Sequence, residues 1–452
     1  MKEKDPLHFN ETYSFEVLVK DNKENFAGKL IVSPNGCTLR VMGERAFSEN
    51  FSTSEVIECE TLRNWFLLTD LSINTWRIAS LRMDNKEDPG GFYEIEFKVG
   101  FLIKSSSRIN SDTLFKGFNF DADMIGKWTG ITNKQNDLLY RHRDLGKNDL
   151  TLFTKPLDNL GDAYLSYNLN LHTNLEGMSS GVKLTPNVGI FLNEHRKIQD
   201  IYKEIKKLYV LLTYFWGGDF SINHLLLSKL NGDHISAFYS MNVVKDLNKY
   251  PLIPLGFDTR DNYGGFKGVP LEFFINYYNL PDSKVEHFSK HLRYKRMKSN
   301  EERFLGYFRI LEKLVHVRGT YVEDGLLKDL LKRSKGILIK KLGSDKKNIE
   351  RLSKRIISAN GGKYNTATCI SKFFNDIPEE IRSFMGVSQS DIEPICKLRN
   401  DMTHANEYEV LDENLHRYTR FIHQLLIFAL FNKSLGLSLD LLIPLSGRFS
   451  RI

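Results

Sequence analysis

The chain has 452 residues, enough for two or three domains, each with its own core. Its 41% hydrophobic and 26% charged residues are ordinary for a globular protein, and its longest apolar run, Phe421 to Phe431, is too short to span a bilayer and is interrupted by His423 and Gln424. The net charge of +7 is unevenly spread: from Lys290 to Lys363 basic residues exceed acidic ones by roughly thirteen, which leaves the rest mildly acidic.

Met1-Lys2-Glu3-Lys4-Asp5 is charged and leads into no apolar stretch of the signal-peptide kind. Four cysteines (Cys37, Cys59, Cys369, Cys396) lie far apart without C-x-x-C pairing, which argues against a zinc ribbon or disulfide framework and predicts a cytoplasmic setting. Phe15, Val17 and Val19 alternate with polar residues, as do Tyr93, Ile95, Phe97 and Val99, the period of half-buried strands. Gly28 to Val32 and Cys37 to Met42 flank Ser33-Pro34-Asn35-Gly36, a hairpin with turn chemistry in its middle. These signals predict a β-rich domain over residues 1–190, sandwich- or barrel-like, with Trp65, Trp76 and Trp128 as core aromatics rather than a ligand platform.

The period changes at Glu194. Over His195 to Phe215, Ile198, Ile201, Ile205, Leu208 and Leu212 form one stripe of an amphipathic helix, which Trp216-Gly217-Gly218-Asp219 ends. Residues 191–290, punctuated by Pro251, Pro254 and Pro270, read as a mixed connector or a second part of the N-terminal region. Neither Asp88-Pro89-Gly90-Gly91 nor Gly361-Gly362-Lys363 has the spacing of a Walker loop, and the scattered His and Asp residues show no metal-ligand spacing.

From residue 291 to 452 the chain reads as an all-α bundle. Helices are predicted over Glu301–Val317, Gly325–Ile339, Lys346–Ala359, Thr366–Phe374, Ser390–Ala405 and Asp412–Leu435, with Ser388 and Asp391 set to cap the fifth. Lys295 and Arg296, and Lys332, Arg333, Lys340 and Lys341, stand in two basic clusters suited to RNA phosphates. The alternative is that they form a solvated helical face.

Within the fifth helix lies Arg399-Asn400-Asp401-Met402-Thr403-His404, or R-N-x-x-x-H. Chance supplies Arg followed by His at four to six intervening residues about twice in such a chain, and Arg309/His316 and Arg417/His423 also fit that loose spacing. Only the copy at Arg399 has Asn directly after the Arg. Ile392, Ile395, Leu398 and Met402 give the helix an apolar stripe, leaving Asn400 and His404, four apart, together on another face. An imidazole that moves protons near neutral pH and a guanidinium that holds phosphate suit metal-free cleavage of an RNA phosphodiester. The alternative role for Arg399 and His404 is to cap or bridge helices.

The motif and its helical setting resemble the HEPN ribonucleases. The whole chain is similar to the ApeA-like anti-phage proteins, through Phe26-Ala27-Gly28-Lys29-Leu30 and the stretch from Phe120 to Trp128-Thr129-Gly130 in its N-terminal region. The resemblance implies an α+β multidomain chain, in which a β-rich region precedes an all-α HEPN bundle. It implies a homodimer or higher homo-oligomer whose motif helices face each other, catalysis by Arg399, Asn400 and His404 without a cofactor, and a cleft to which Glu312 and His316 could contribute. It further implies abortive-infection defence, with tRNA as substrate and a phage protein as a possible trigger. The competing readings are a non-catalytic HEPN module that binds RNA or protein, and a chain whose N-terminal β domain, as ligand or phage-protein sensor, is the functional part.

Overall fold

The computed structural model describes residues 7–21, 24–44, 55–80, 91–141, 150–174, 179–240, 250–256, 266, 268–317, 321–343, 345–360 and 365–450. Met1–Asp5, Asp88–Gly90 and Gly361–Lys363, considered above, lie outside them. Two compact units divide the chain, Met1–Asn279 and Leu280–Ile452. No helix among the described residues is long and apolar enough to cross a membrane.

In the first unit β1 (Tyr13–Asp21), β2 (Glu24–Ser33), β3 (Gly36–Glu44), β4 (Val56–Glu60), β5 (Trp65–Ser80) and β6 (Gly91–Ser105) are joined in the order β3-β2-β1-β4-β5-β6, and β3 pairs back on β6. The antiparallel ladder therefore closes into a six-stranded barrel, which leaves none of these strands an open edge. Alternation decides what fills it: Val17, Val19, Leu30, Val32, Leu39, Val41, Ile95, Phe97 and Val99 are buried. The β2–β3 turn falls on the expected residues, with Gly36 at φ 131 and the Ser33 hydroxyl donating to the Gly36 carbonyl at 3.0 Å.

After β7 (Phe115–Asp121) come α1 (Asp123–Thr129) and α2 (Asn133–Arg141), then β8 (Thr151–Leu157), β9 (Gly161–Asn174), β10 (Ser179–Arg196), α3 (Ile198–Trp216), β11 (His224–Lys229), β12 (His234–Tyr239) and α4 (Glu272–Tyr278). The sheet runs on from β6 as β12-β11-β7-β10-β9-β8. All five residues of the predicted α3 stripe are buried, and from Leu208 to Trp216 the helix is buried on every side. The helix begins at Ile198 rather than His195, because β10 stays in the ladder as far as Arg196, opposite Phe115. Of the three tryptophans only Trp128 is fully buried. Trp65 is half-buried, and Trp76 is 56% exposed in the outer half of β5, beyond the left-handed Asp70 (φ 58), where residues 72–77 all face solvent. Between residues 191 and 290, β11 and β12 enter this unit's sheet, and the unit ends after Asn279.

The second unit is helical: α5 (Asp282–Lys295), α6 (Asn300–Val315), α7 (Asp324–Leu342), α8 (Lys346–Asn360), α9 (Thr366–Asn375), α10 (Glu379–Arg382), α11 (Ile392–His404), α12 (Asp412–Ala429) and α13 (Ser446–Phe449). Helix α6 is capped by the Ser299 hydroxyl, which accepts from the Glu302 N–H. Its Phe304, Phe308, Leu311 and Val315 are buried as the stripe requires, and α6 packs on α12 and α5. Gly306 allows the approach to α5: a Cβ there would lie 2.3 Å from Tyr294 Cγ. The expected long last helix ends at Ala429 and continues as a π-turn over Leu430–Ser434.

Two imidazoles are sealed in this core. His423 on α12 stacks on Tyr307 with ring centres 4.7 Å apart, and His291 of α5 lies 4.9 Å from His423. Burial pushes the proton affinity of His291 down to about 3, and burial beside His291, Lys295 and Arg303 holds His423 well below the ordinary histidine range. Below the ordinary value of 6.5 an unfolded chain binds protons that the folded one refuses. Stability is therefore full above pH 6.5 and is lost as pH falls toward 3, by roughly 1 kcal/mol per imidazole per pH unit. Urea unfolding of the full chain at pH 7 and pH 5 should show the helical unit weakened at the lower pH. His423→Phe, which keeps the stack without the titration, should reduce the difference; an equal loss in the variant would refute this account.

Candidate active site

The motif sits at the end of a short helix that the sequence starts and stops sharply. The Asp391 carboxylate accepts from the Ser388 N–H and hydroxyl, each at 2.9 Å, closing a capping box over a 3₁₀ turn, Gln389–Asp391, that leads into α11. These bonds to Ser388, with Arg417 nearby, hold the Asp391 carboxyl below the usual carboxylate range. Ile392, Ile395, Cys396 and Leu398 anchor the helix in the core, while Met402, the last residue of the expected stripe, is only half-buried. The helix stops directly after His404: Ala405 takes left-handed φ 53, and its N–H and that of Asn406 both reach the Asp401 carbonyl. Asn400 and His404 are thus presented, exposed, on one face of the final turn.

Arg399 is fixed on three sides. One guanidinium nitrogen is ion-paired with a Glu312 oxygen, another donates to Asn400 Oδ1 at 2.8 Å, and the group lies over the Phe308 ring at 5.2 Å. The other Glu312 oxygen accepts from the Thr366 hydroxyl at 3.0 Å. Glu312 on α6 therefore ties α9 and α11 together, and its two oxygens orient the arginine. Cys396, one turn before Arg399, is kept as an unreactive thiol, because burial pushes it up to about 12 against the opposing pull of Arg399.

The remaining candidates separate. His316 caps the end of α6 and lines a groove with Glu312, together with Arg309 of the second loosely spaced copy. The third copy is structural: Arg417 pairs with Asp391 at 3.8 Å and His423 is buried. Lys295 ends α5 and Arg296 follows it, whereas Lys332, Arg333, Lys340 and Lys341 are exposed on α7. The two basic clusters thus stand on different helices, at the end of α5 and on α7. Phe308 and Thr366, which hold Arg399 and Glu312, were missed by sequence reasoning. Phe308 lies one turn before Glu312 on α6, the one signal that could have linked them.

The chain is thus built as a β-rich unit followed by a helical bundle. Residues 305–441 match the family model described as Apea-like HEPN, and residues 11–258 match that described as ApeA N-terminal domain 1. The chain belongs to the ApeA-like HEPN family, and at the family level is an anti-phage HEPN nuclease. No curated protein and no solved structure matches the chain.

Proposed function

We propose that the protein is a metal-independent endoribonuclease in which Arg399, Asn400 and His404 carry the chemistry. The observation that carries this reading is the arrangement at the end of α11: a guanidinium immobilised by Glu312, Asn400 and Phe308 beside an exposed imidazole one turn away. Attack of the 2′-OH on its neighbouring phosphate needs a base to take the hydroxyl proton and an acid to protonate the leaving 5′-oxygen. One imidazole cannot serve both steps at once. Two copies of His404 across a two-fold axis divide them, and homo-oligomers favour such symmetry. Arg399 stabilises the charge that grows on the phosphate oxygens, and Asn400 donates its amide to a phosphate oxygen or orients the imidazole. Products carry a 2′,3′-cyclic phosphate, and DNA, lacking the 2′-OH, is spared.

The substrate proposed is tRNA in the cytoplasm, cut in abortive infection once a phage protein is sensed. Unrestrained cleavage would harm the host, so the N-terminal unit restrains or triggers the nuclease. Deleting it without change in activity or toxicity would refute that role. The nuclease reading is tested by incubating purified protein with total RNA in EDTA and resolving the small RNAs. Discrete fragments from the parent and none from His404→Ala are expected; equal cutting by both would overturn it.

A further inference from the structure

Helices α5 and α6 line an open groove of about 610 Å³ whose lining includes Glu312. Lys290 comes from α5, and Arg309 and Lys313 from α6. Lys290 has Glu286 at 2.9 Å and Lys313 lies in the field of the same carboxylate, but Arg309 and Lys313 are exposed and form no ion pair within 4 Å among the described residues. Glu312, the acidic side chain in the lining, is committed to Arg399 and Thr366. Two imidazoles complete the wall, and His287 Nδ1 and His316 Nε2 are sealed from solvent with no hydrogen-bond partner among the described residues. Buried nitrogens of this kind ordinarily find a partner, and two cations without an ion pair beside them favour an anion. Burial, with Lys313 and Lys290 close by and Glu286 opposing, also holds His287 below the ordinary histidine range.

We infer that this groove is an anion subsite that holds a phosphate of the RNA strand next to the one at Arg399. The inference rests on the proposal that RNA is the substrate, and Glu312 supplies the connection. A single carboxylate lines the groove and orients Arg399, so a strand crossing it meets the two cationic positions in succession. Arg309 and Lys313 contact the phosphate from the solvent side, and His287 and His316 stand in the wall behind it. The loosely spaced Arg309/His316 pair thus acts in binding, while the pair at Arg399/His404 acts in cleavage.

The test uses the full-length protein in a His404→Ala background, so that RNA survives the measurement. Binding of a fluorescein-labelled tRNA transcript is followed by anisotropy across a range of KCl, and inorganic phosphate is titrated separately against the ring signals of His287 and His316 by NMR. Adding Arg309→Ala and Lys313→Ala should weaken RNA binding about tenfold or more and lower the salt slope by about 1–2. Phosphate should move both histidine signals. Because both substituted side chains are exposed, circular dichroism should be unchanged, and Arg309→Glu alone should show the same direction of effect. Unchanged affinity and slope, or no binding of the transcript at all, would overturn the inference. Histidine signals that move with phosphate while RNA binding is unaffected would mark a site for a free phosphate compound, and would overturn it too. A parent that never cuts RNA, together with a groove variant that binds it less well, would remove the nuclease proposal and leave the subsite standing.

Discussion

Replacing His404 with alanine is expected to slow RNA cleavage by about 10²–10⁴-fold, the range for loss of a positioned acid–base group. The side chain is exposed at the last residue of α11 and lies outside the apolar face that anchors the helix, so the fold should be untouched. Thermal unfolding that superimposes on that of the parent would separate lost chemistry from lost structure. A mixing experiment tests the division of labour between two imidazoles. If each site needs His404 from both protomers, a tenfold excess of His404→Ala protein should draw parent chains into mixed dimers and suppress their activity far below simple dilution. Activity that only dilutes would mean that one chain suffices and would refute the composite site. Products ending in 2′,3′-cyclic phosphate, and resistance of a strand with a single 2′-deoxy substitution at the cut, would tie the loss to attack by the 2′-OH.

The parts of this molecule legible in its sequence are those governed by short periods. Strand alternation at Phe15–Val19 and Tyr93–Val99, and the α3 stripe from Ile198 to Leu212, each follow from which side of one element must be dry. The turn at Ser33–Gly36 and the capping box at Ser388–Asp391 are equally local, since each is closed by bonds within four residues. What was hidden depends on distance. Trp76 has the composition of a core residue, but β5 carries it past the covered part of the sheet. Helix α5 opens with Pro281 and Asp282, a fair start signal, yet the prolines and glycines before it gave the stretch the character of a loop. At the site, Arg399, Asn400 and His404 could be picked out because they fall within little more than one helical turn. The Glu312–Arg399 pair spans 87 positions, and no local pattern announces it. The groove is harder still, because its lining is shared between α5 and α6.

Arg399→Lys is expected to lower kcat by about 10²–10³-fold, in the range seen when one transition-state hydrogen-bond donor is removed, while leaving a positive charge in place. A guanidinium can pair with Glu312, donate to Asn400 and lie over Phe308 at the same time, because its donors are fixed in a plane. An ammonium is a point donor on a flexible stem and cannot satisfy all three, so the charge survives but its direction does not. Glu312 should then act through Arg399 and not on the RNA. Glu312→Gln keeps a polar group for Thr366 but removes the charge that orients the guanidinium, and should reduce kcat more than it raises KM. Since the two residues form one unit, the double variant should be little slower than Arg399→Lys alone, a large departure from additivity. Additive losses would show that Glu312 contributes independently of Arg399. A rise in KM with kcat preserved would place Arg399 in ground-state RNA binding, where the cation at the end of α11 holds the strand without helping to break it.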